Sequence, residues 1–359
     1  MAERVLMKGN EAVVLGAIAG GCRAFFGYPI TPQNEIPEYM SKHMPEAGGV
    51  FLQAESEVAA INMVYGASCA GVRAMTSSSS PGVSLKQEGI SYMAGAELPG
   101  VVVNVQRGGP GLGNIAASQS DYFQSVKGGG HGDYRTITLA PWSVTECYTF
   151  TAEAFDIADE YRGVVLVLLD AILGQMIEPV KVPNWKPKHF PKPWATTGAR
   201  GREKNIIASL YIRPPDLEEV NLRIQARYDL AAERLTRTHS MMTEDADVVL
   251  VAYGCSARIC RTVVDMARAE GIRAGLLRPI TLYPFPNREI RALADGGASF
   301  LVVELSLGQM VEDVRLAVEG TAEVRFRGRA GGMVPTPVEI LDQVREMTAD
   351  TSRCSIRSS

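Results

Sequence analysis

The sequence has no large excess of charge of either sign, no long apolar run and no cluster of metal ligands. Its 36 basic and 40 acidic residues give a net charge of -4. A nucleic-acid or membrane-surface role is disfavoured, because no basic stripe or long run of like charges is present. The longest apolar runs, residues 163–169 and 246–252, have the length of strands and are too short to cross a membrane.

Potential metal ligands and targeting signals are also scarce. The four histidines are widely separated, and the closest of the six cysteines, Cys255 and Cys260, have four residues between them. This spacing fits neither a zinc pair nor an iron–sulfur run, so we predict no metal site within this chain. The first residues lack the basic and apolar blocks of a secretory signal, and we therefore expect a cytoplasmic protein with reduced cysteines.

The sequence does contain a regular alternation of apolar strands and helical segments. The predicted strands are 24–28, 50–54, 72–76, 101–106 and 164–169. The predicted helices are 32–44, 57–70, 81–94 and 143–161. Continuous apolar strands that alternate with helices are typical of a parallel sheet covered on both faces. We therefore predict an α/β domain over residues 1–177.

A proline-rich segment interrupts this alternation. Residues 178–193 contain five prolines, and neither a helix nor a strand is predicted there. Apolar residues at helical intervals then predict one exposed helix over 216–237, so residues 178–244 are interpreted as a linker. From residue 246 strands and helices alternate again, which predicts a second, smaller parallel-sheet domain over 245–359.

Polar or glycine-rich residues follow four successive strands of the first domain. They are Thr31, residues 55–57, residues 77–82 and residues 107–111. In open parallel sheets ligands bind outside the carboxyl ends of the strands, so four such ends indicate one shared site. Each one alone has a plainer explanation, because Ser, Thr and Glu also favour helix starts. Thr31 lies between two prolines, and we predict that it is the N-cap of a helix starting at Pro32.

Two of these residues have the chemistry expected of a functional site. Glu57 leads an almost wholly apolar helix, where a carboxylate is partly removed from water and suited to holding or transferring a proton. Glu55 is nearer the exposed end and is the weaker candidate. Arg107 offers a planar, bidentate partner for a carboxylate or phosphate, with a surface salt bridge as an equally weighted alternative.

Two glycine-rich runs raise the possibility of nucleotide binding. Residues 108–113 lack the three-glycine dinucleotide spacing, and residues 128–132 follow no predicted strand. Neither run has the Lys-Ser/Thr pair of a P-loop. A Rossmann or NTPase function is therefore disfavoured.

Five motifs, spread over both predicted domains, resemble those of one enzyme family. They are residues 8–12, 27–32, 55–61, 104–107 and 277–284. In this combination the chain resembles the alpha subunit of the thiamine-diphosphate-dependent 2-oxoacid:ferredoxin oxidoreductases. The resemblance covers nearly the whole chain. It implies a pyrimidine-binding-like domain followed by a transketolase C-terminal-like domain.

The resemblance also implies roles for individual residues. Glu57 falls on the glutamate that hydrogen-bonds the aminopyrimidine ring of thiamine diphosphate, and is expected to be catalytic. Thr31 falls on a catalytic, substrate-binding residue beside the oxo and carboxylate groups, and Arg107 on the partner of the substrate carboxylate. The expected cofactor contacts are Glu57, Ser79, Ser80 and Asp121.

Missing parts imply partner subunits. The chain has no Gly-Asp-Gly with a later Asn to bind diphosphate through magnesium, and no clustered cysteines. The resemblance places Mg²⁺ and [4Fe-4S] clusters on partners: a beta subunit that shares the thiamine diphosphate, and a ferredoxin-like delta subunit, with a gamma subunit besides. It also implies coenzyme A as co-substrate and ferredoxin as electron acceptor. The chain alone is expected to be inactive.

The substrate is expected to be a branched-chain 2-oxo acid. Residues 77–89, 108–113 and 127–132 look most like the branched-chain subgroup, which implies oxidative decarboxylation of 3-methyl-2-oxobutanoate to acyl-CoA and CO2. The first alternative is 2-oxoglutarate, which would need a second cation for its distal carboxylate. The others are a non-catalytic structural subunit and a non-oxidative thiamine enzyme that works without ferredoxin.

Overall fold

The computed structural model describes residues 4–357 of the chain, with side chains up to residue 349. The strands are β1 (Val5–Lys8), β2 (Ala24–Gly27), β3 (Val50–Gln53), β4 (Ala74–Ser78), β5 (Gly100–Gln106), β6 (Ile137–Leu139), β7 (Val164–Asp170), β8 (Ile177–Val180), β9 (Thr238–Met241), β10 (Val248–Val251), β11 (Ala274–Pro279), β12 (Thr281–Tyr283), β13 (Ser299–Glu304) and β14 (Val324–Gly328). The helices are α1 (Gly9–Ala19), α2 (Glu35–Glu46), α3 (Glu57–Cys69), α4 (Ser80–Gly95), α5 (Tyr122–Val126), α6 (Val144–Tyr161), α7 (Ala171–Gln175), α8 (Pro214–Leu235), α9 (Gly254–Ala269), α10 (Asn287–Asp295), α11 (Met310–Val318) and α12 (Pro337–Arg357).

The first large sheet has seven strands in the order β12-β6-β7-β5-β4-β2-β3. All neighbouring pairs are parallel except β12 with β6. Helices α1, α2 and α6 pack on one face, and α3 and α4 pack on the other. The predicted α/β class, with a parallel sheet covered on both faces, is confirmed.

The second large sheet has five strands in the order β14-β13-β10-β11-β9, and β9 is its only antiparallel member among the described strands. Helices α9 and α12 cover one face, and α10 and α11 cover the other. The two sheets exchange strands across the predicted boundaries. Strand β9 comes from the predicted linker, and β12 follows β11 but joins the seven-stranded sheet.

The prediction that residues 178–193 contain no strand is wrong at their start. Strand β8 pairs antiparallel with β1, from Val5 opposite Val180 to Lys8 opposite Ile177. Pro179 obscured this strand in the sequence, and a proline is tolerated in a two-stranded ribbon where one edge needs no partner. The partner strand is more than 160 residues away in sequence, so no local pattern indicates the pairing.

Helix α2 begins three residues later than the sequence predicts, so the assignment of Thr31 as its N-cap is wrong. Residues 30–33 form a turn instead. The Pro32 carbonyl accepts hydrogen bonds from Asn10 Nδ2 and Gln175 Nε2, both at 2.9 Å. These donors belong to α1 and α7, and such long-range contacts override the local preference for a helix start.

Within the described residues, no helix is both long and apolar enough to span a membrane. The cysteines that the structure describes are free thiols, and all but Cys69 are buried. No three His, Cys, Asp or Glu side chains of this part of the chain are grouped so that they could hold a metal ion.

Candidate functional site

The structure brings the four polar strand ends into one chain of contacts. Arg107 Nη1 donates to the Thr31 carbonyl at 2.8 Å, and Arg107 N donates to Ser80 Oγ at 3.0 Å. Two residues further along α4, the backbone of Gly82 packs against the Glu57 carboxylate. The expectation of a shared site at the carboxyl ends of the strands therefore agrees with the positions of these residues.

Glu57 is the first residue of α3 and is buried, with 7% of its surface exposed. Ser56 caps the helix by accepting a hydrogen bond from Ala59 N at 3.2 Å, which holds the chain before Glu57 in extended geometry. The carboxylate lies so close to α4 that a Cβ at Gly82 would be 2.6 Å from Oε1. No other described residue donates a hydrogen bond to this carboxylate, so its oxygens are available to a ligand.

Two buried serine hydroxyls at the end of β4 also lack partners. Ser78 Oγ would lie 2.1 Å from a Cβ at Gly82, and neither Ser78 Oγ nor Ser79 Oγ forms a hydrogen bond. Buried polar groups are seldom left unpaired without a reason. The unpaired hydroxyls and the free carboxylate fit a polar, planar ligand bound between the starts of α3 and α4.

Ser80 adopts a backbone conformation that few residues other than glycine adopt, with φ of 22°. Its amide donates to Asn104 Oδ1 at 3.1 Å, and its hydroxyl donates to Asp121 Oδ2 at 2.6 Å. Asn104 Nδ2 donates to the same Asp121 oxygen at 2.9 Å. Burial raises the pKa of Asp121, and these two hydrogen bonds oppose that rise. Asp121 thus joins the end of β5 to the start of α4.

Arg107 is buried at the end of β5, with 7% of its surface exposed. Its guanidinium donates to two backbone carbonyls, those of Thr31 at 2.8 Å and Leu112 at 3.0 Å. Nε is buried and has no partner. The alternative of a surface salt bridge is therefore wrong, because Arg107 lies inside the site and contacts no carboxylate of the described residues.

Thr31 is exposed, and its hydroxyl accepts a hydrogen bond from Asn34 Nδ2 at 3.3 Å. It lies on the wall of an apolar cavity of about 600 Å³ that is also lined by Ile115, Ile172 and Val334. Of the predicted site residues, Thr31 alone lines this cavity among the described residues. Glu57 does not line this cavity.

The loop that carries Asp121 is held by the second sheet, which the sequence did not indicate. Gln119 Nε2 donates to the Tyr253 carbonyl at 2.8 Å, and Gln309 Nε2 donates to the Ser120 carbonyl at 2.7 Å. These contacts join positions that are 134 and 189 residues apart in sequence. The second domain thus positions part of the site in the first.

Sequence reasoning also missed Lys86. This lysine is completely buried on α4, and its Nζ donates to the Glu57 carbonyl at 3.3 Å. Burial lowers its pKa to about 8, and the Glu57 carboxylate opposes that shift. The sequence did contain one signal. Gly82, Lys86 and Gly89 are spaced by four and three residues, which places Lys86 on the same face of a helix as two glycines and indicates that this face is covered.

Comparisons with protein families divide the chain into two matched regions. Residues 15–241 match the family model described as pyruvate flavodoxin/ferredoxin oxidoreductase, thiamine diphosphate-binding. Residues 246–340 match the model described as pyruvate:ferredoxin oxidoreductase core domain II.

Similar proteins of known name belong to the same group. Ketoisovalerate oxidoreductase subunit VorB from Methanothermobacter thermautotrophicus is 52% identical over 97% of this chain and 99% of its own length. The 2-oxoglutarate synthase subunit KorA from the same organism is 39% identical over 97% of this chain and 100% of its own length.

Solved structures agree with these matches. The 2-oxoglutarate:ferredoxin oxidoreductase from Magnetococcus marinus, solved with 2-oxoglutarate, coenzyme A and succinyl-CoA, has a TM-score of 0.88 and 28% identity. The match covers 96% of this chain and 65% of that one. A split-gene transketolase, with a TM-score of 0.58 and 13% identity over 94% of this chain and 96% of that one, shares the fold. Two family models over most of the chain and a relative that is 52% identical show that it belongs to the 2-oxoacid:ferredoxin oxidoreductases, as an alpha-type subunit.

Proposed function

We propose that this subunit serves the oxidative decarboxylation of 3-methyl-2-oxobutanoate, also called ketoisovalerate, to an acyl-CoA and CO2. The geometric observation that carries the proposal is the carboxylate of the buried residue Glu57, which accepts no hydrogen bond from the described residues and lies at Gly82 with the unpaired hydroxyl of Ser78. The branched-chain substrate is supported by the relative named ketoisovalerate oxidoreductase, which is 52% identical, against 39% for the 2-oxoglutarate relative.

The crevice beside Glu57 fits the aminopyrimidine ring of thiamine diphosphate. Such a ring has polar nitrogens in one plane, and the free carboxylate and the hydroxyls of Ser78 and Ser79 are able to pair with them. When bound, thiamine diphosphate supplies the carbon nucleophile that attacks a 2-oxo acid. Glu57 would hold a proton at a ring nitrogen, which is general acid–base work for a carboxylate kept from water.

Ser80 and Asp121 are proposed to support the cofactor from the other side of the α4 start. Their mutual hydrogen bond of 2.6 Å, together with Asn104, determines where α4 begins and so where the unpaired serine hydroxyls lie. The direct cofactor contacts expected of Ser79, Ser80 and Asp121 remain proposals. Asp121 contributes through position, because its carboxylate is already bonded within the chain.

Arg107 and Thr31 are proposed to receive the substrate. The Nε of Arg107 is buried without a partner, so this group offers a donor to a carboxylate that enters the site. The Thr31 carbonyl accepts a hydrogen bond from the Arg107 guanidinium, and Thr31 itself is exposed at the surface. We place the carboxylate of the substrate near Arg107 and its oxo group near Thr31.

Replacing Arg107 by Ala in the assembled complex should raise KM for 2-oxo acids by about 10–100-fold and change kcat less, because a charge-assisted hydrogen bond is lost. Arg107→Lys is the matched variant, because it keeps the charge but loses the planar guanidinium. Its KM should lie between those of the wild type and Arg107→Ala. Steady-state kinetics with short 2-oxo acids check this. An unchanged KM in a folded Arg107→Ala complex contradicts the assignment of Arg107 to the substrate carboxylate.

The subunit is proposed to work with partner chains. A beta subunit would share the thiamine diphosphate and carry Mg²⁺ and iron–sulfur clusters, and gamma and ferredoxin-like delta subunits would complete the complex. Coenzyme A would be the acyl acceptor and ferredoxin the electron acceptor. The support is that the curated relatives are named as subunits and that a similar solved structure holds coenzyme A.

We also propose a division of the chain into a pyrimidine-binding-like domain (1–177), a linker with an exposed helix (178–244) and a transketolase C-terminal-like domain (245–359). The family matches, 15–241 and 246–340, support a boundary near residue 244. Strand β9 joins the five-stranded sheet and β12 joins the seven-stranded sheet, so the chain passes between the two sheets more than once.

The function is tested with the complex of this chain and its native partner subunits. We expect reduction of a redox dye that depends on coenzyme A, with kcat/KM highest for 3-methyl-2-oxobutanoate in a panel that includes 2-oxoglutarate and pyruvate. A preference for 2-oxoglutarate would replace the substrate proposed here. Decarboxylation without an electron acceptor would indicate a non-oxidative thiamine enzyme. Full activity of complexes that carry Glu57→Gln and Arg107→Ala would indicate a structural subunit.

A further inference from the structure

Lys86 occupies an unusual place for a charged side chain. It has no exposed surface, and its one described hydrogen bond runs from Nζ to the Glu57 carbonyl at 3.3 Å. An ammonium group removed from water is costly unless another charge or several acceptors compensate for it. One carbonyl is a small compensation, so retaining a lysine here calls for a further reason.

The position of Lys86 on α4 explains which group it faces. It lies one helical turn after Gly82, on the same face of the helix. Gly82 is where the Glu57 carboxylate packs against α4, and a Cβ there would be 2.6 Å from its oxygen. The ammonium of Lys86 and the carboxylate of Glu57 therefore lie in the same crevice between α3 and α4.

Glu57 is the charged group that acts on Lys86. It is the one charge among the described residues that favours the ammonium form against burial. Glu55 before α3, Glu88 on α4 and Asp133 in the loop before β6 are all exposed, and water screens them. The other carboxylate that faces α4, Asp121, accepts hydrogen bonds from Ser80 and Asn104 at the start of the helix.

We propose that Lys86 is a positioning residue: it holds the start of α3 through the Glu57 carbonyl, and its own charge sets the pH dependence of thiamine diphosphate binding beside the Glu57 carboxylate. The proposal rests on the function proposed above for Glu57. Its physical basis is the buried contact of Lys86 Nζ with the Glu57 carbonyl, which fixes where α3 begins and so where the carboxylate lies.

The pH dependence follows from the pKa of Lys86. In the folded chain it is about 8, against 10.5 for an ordinary lysine. Above about pH 8, Lys86 is neutral in the folded protein, and Glu57 loses its nearby cation. Between pH 8 and pH 10.5, Lys86 is protonated in the unfolded chain but neutral in the folded chain. The free energy of unfolding therefore rises with pH over this range. Below pH 8 the buried charge lowers stability.

The test uses Lys86→Met in the assembled complex, with Lys86→Arg as the conservative variant and Gln87→Met as the matched control. Gln87 is the next residue on α4 and is also buried, but it is uncharged. Thiamine diphosphate affinity is measured by calorimetry from pH 6 to pH 10, and decarboxylation is measured over the same range.

The wild-type complex should show a change of about tenfold in thiamine diphosphate affinity with a midpoint near pH 8. Lys86→Met should lack this step, because methionine has no group that titrates in this range. Gln87→Met should keep the wild-type profile. In Lys86→Arg the step should move beyond the alkaline end of the range, since guanidinium stays charged.

Thermal unfolding gives a readout that is independent of the cofactor. Lys86→Met should melt at a higher temperature than the wild type at pH 7, and the difference should shrink as the pH approaches 10. The same pH profile in wild type, Lys86→Met and Gln87→Met, with cofactor bound in all three, would overturn the role of Lys86. A wild-type complex that binds no thiamine diphosphate would instead overturn the proposed function. If Lys86→Met does not assemble, the test uses the change in thiamine diphosphate affinity near pH 8 in the wild type. Its displacement to higher pH in Lys86→Arg supports the role of Lys86, and an unchanged midpoint contradicts it.

Discussion

Replacing Glu57 by Gln should lower the rate of 2-oxo acid decarboxylation by about 10²–10⁴-fold, the range that general acid–base catalysis contributes. The amide has nearly the same size and keeps one hydrogen-bond acceptor, but it cannot hold a transferable proton. Glu57 is a buried residue with 7% of its surface exposed, and the carboxylate accepts no hydrogen bond from the described residues that could take over its role. Single-turnover decarboxylation by the assembled complex measures the effect on chemistry directly.

Glu55→Gln is the matched control for this substitution. Glu55 lies two residues earlier and is exposed, so its replacement should change the rate by less than about twofold, as surface substitutions usually do. Size-exclusion chromatography of both variants shows whether the subunits still assemble. If Glu57→Gln assembles and decarboxylates at the wild-type rate, Glu57 is not the catalytic group and the site must be sought elsewhere.

Replacing Gly82 by Ala should weaken thiamine diphosphate binding by about 10–100-fold while it changes stability little. The new Cβ would lie 2.1 Å from Ser78 Oγ and 2.6 Å from Glu57 Oε1. Both atoms are the ends of side chains that can rotate away, so the fold tolerates the methyl group. The rotation moves the carboxylate and the hydroxyl that we propose contact the ring, and a small displacement of such groups is costly.

Gly66→Ala on α3 is the control for Gly82→Ala. A Cβ at Gly66 meets no atom within 4 Å, and alanine favours the helix interior by about 0.5–1 kcal/mol over glycine. This variant should be slightly more stable and bind thiamine diphosphate as the wild type does. Calorimetric titration and thermal unfolding of the two variants separate a local effect at the site from a general effect of adding a methyl group. Equal affinities in the two variants would contradict the placement of the ring beside Gly82.

Much of the site was predictable because its residues follow parallel strands. Thr31, Glu57, Ser80 and Arg107 each come just after a strand or at the helix start that follows one, and the strands of a parallel sheet end at the same edge. Burial of Glu57 was predictable from the apolar helix that it leads. The surroundings of Arg107 were not, because its partners are carbonyls of a turn and a loop, and no residue type marks a backbone acceptor.

Errors of prediction arose where distant contacts override local preference. The Thr31 turn is held by Asn10 and Gln175, so a Thr-Pro pair that locally favours a helix cap does not form one. Strand β8 forms because β1 is opposite it, although Pro179 argues against a strand. In both places the decisive hydrogen bonds connect segments that are far apart in the sequence.

The sequence by itself determined the α/β class, the order of most strands and helices, and the family, and it indicated Glu57 as the candidate acid, because these depend on periodicity and on short motifs. The tertiary structure alone decided that β12 joins the first sheet, that the second domain holds the Asp121 loop through Gln119 and Gln309, and that Lys86 lies buried beside Glu57. Hydrophobic periodicity shows which face of an element is covered, but not which element covers it. The partner of a buried charge depends on which element covers that face, and this is decided only in the folded chain.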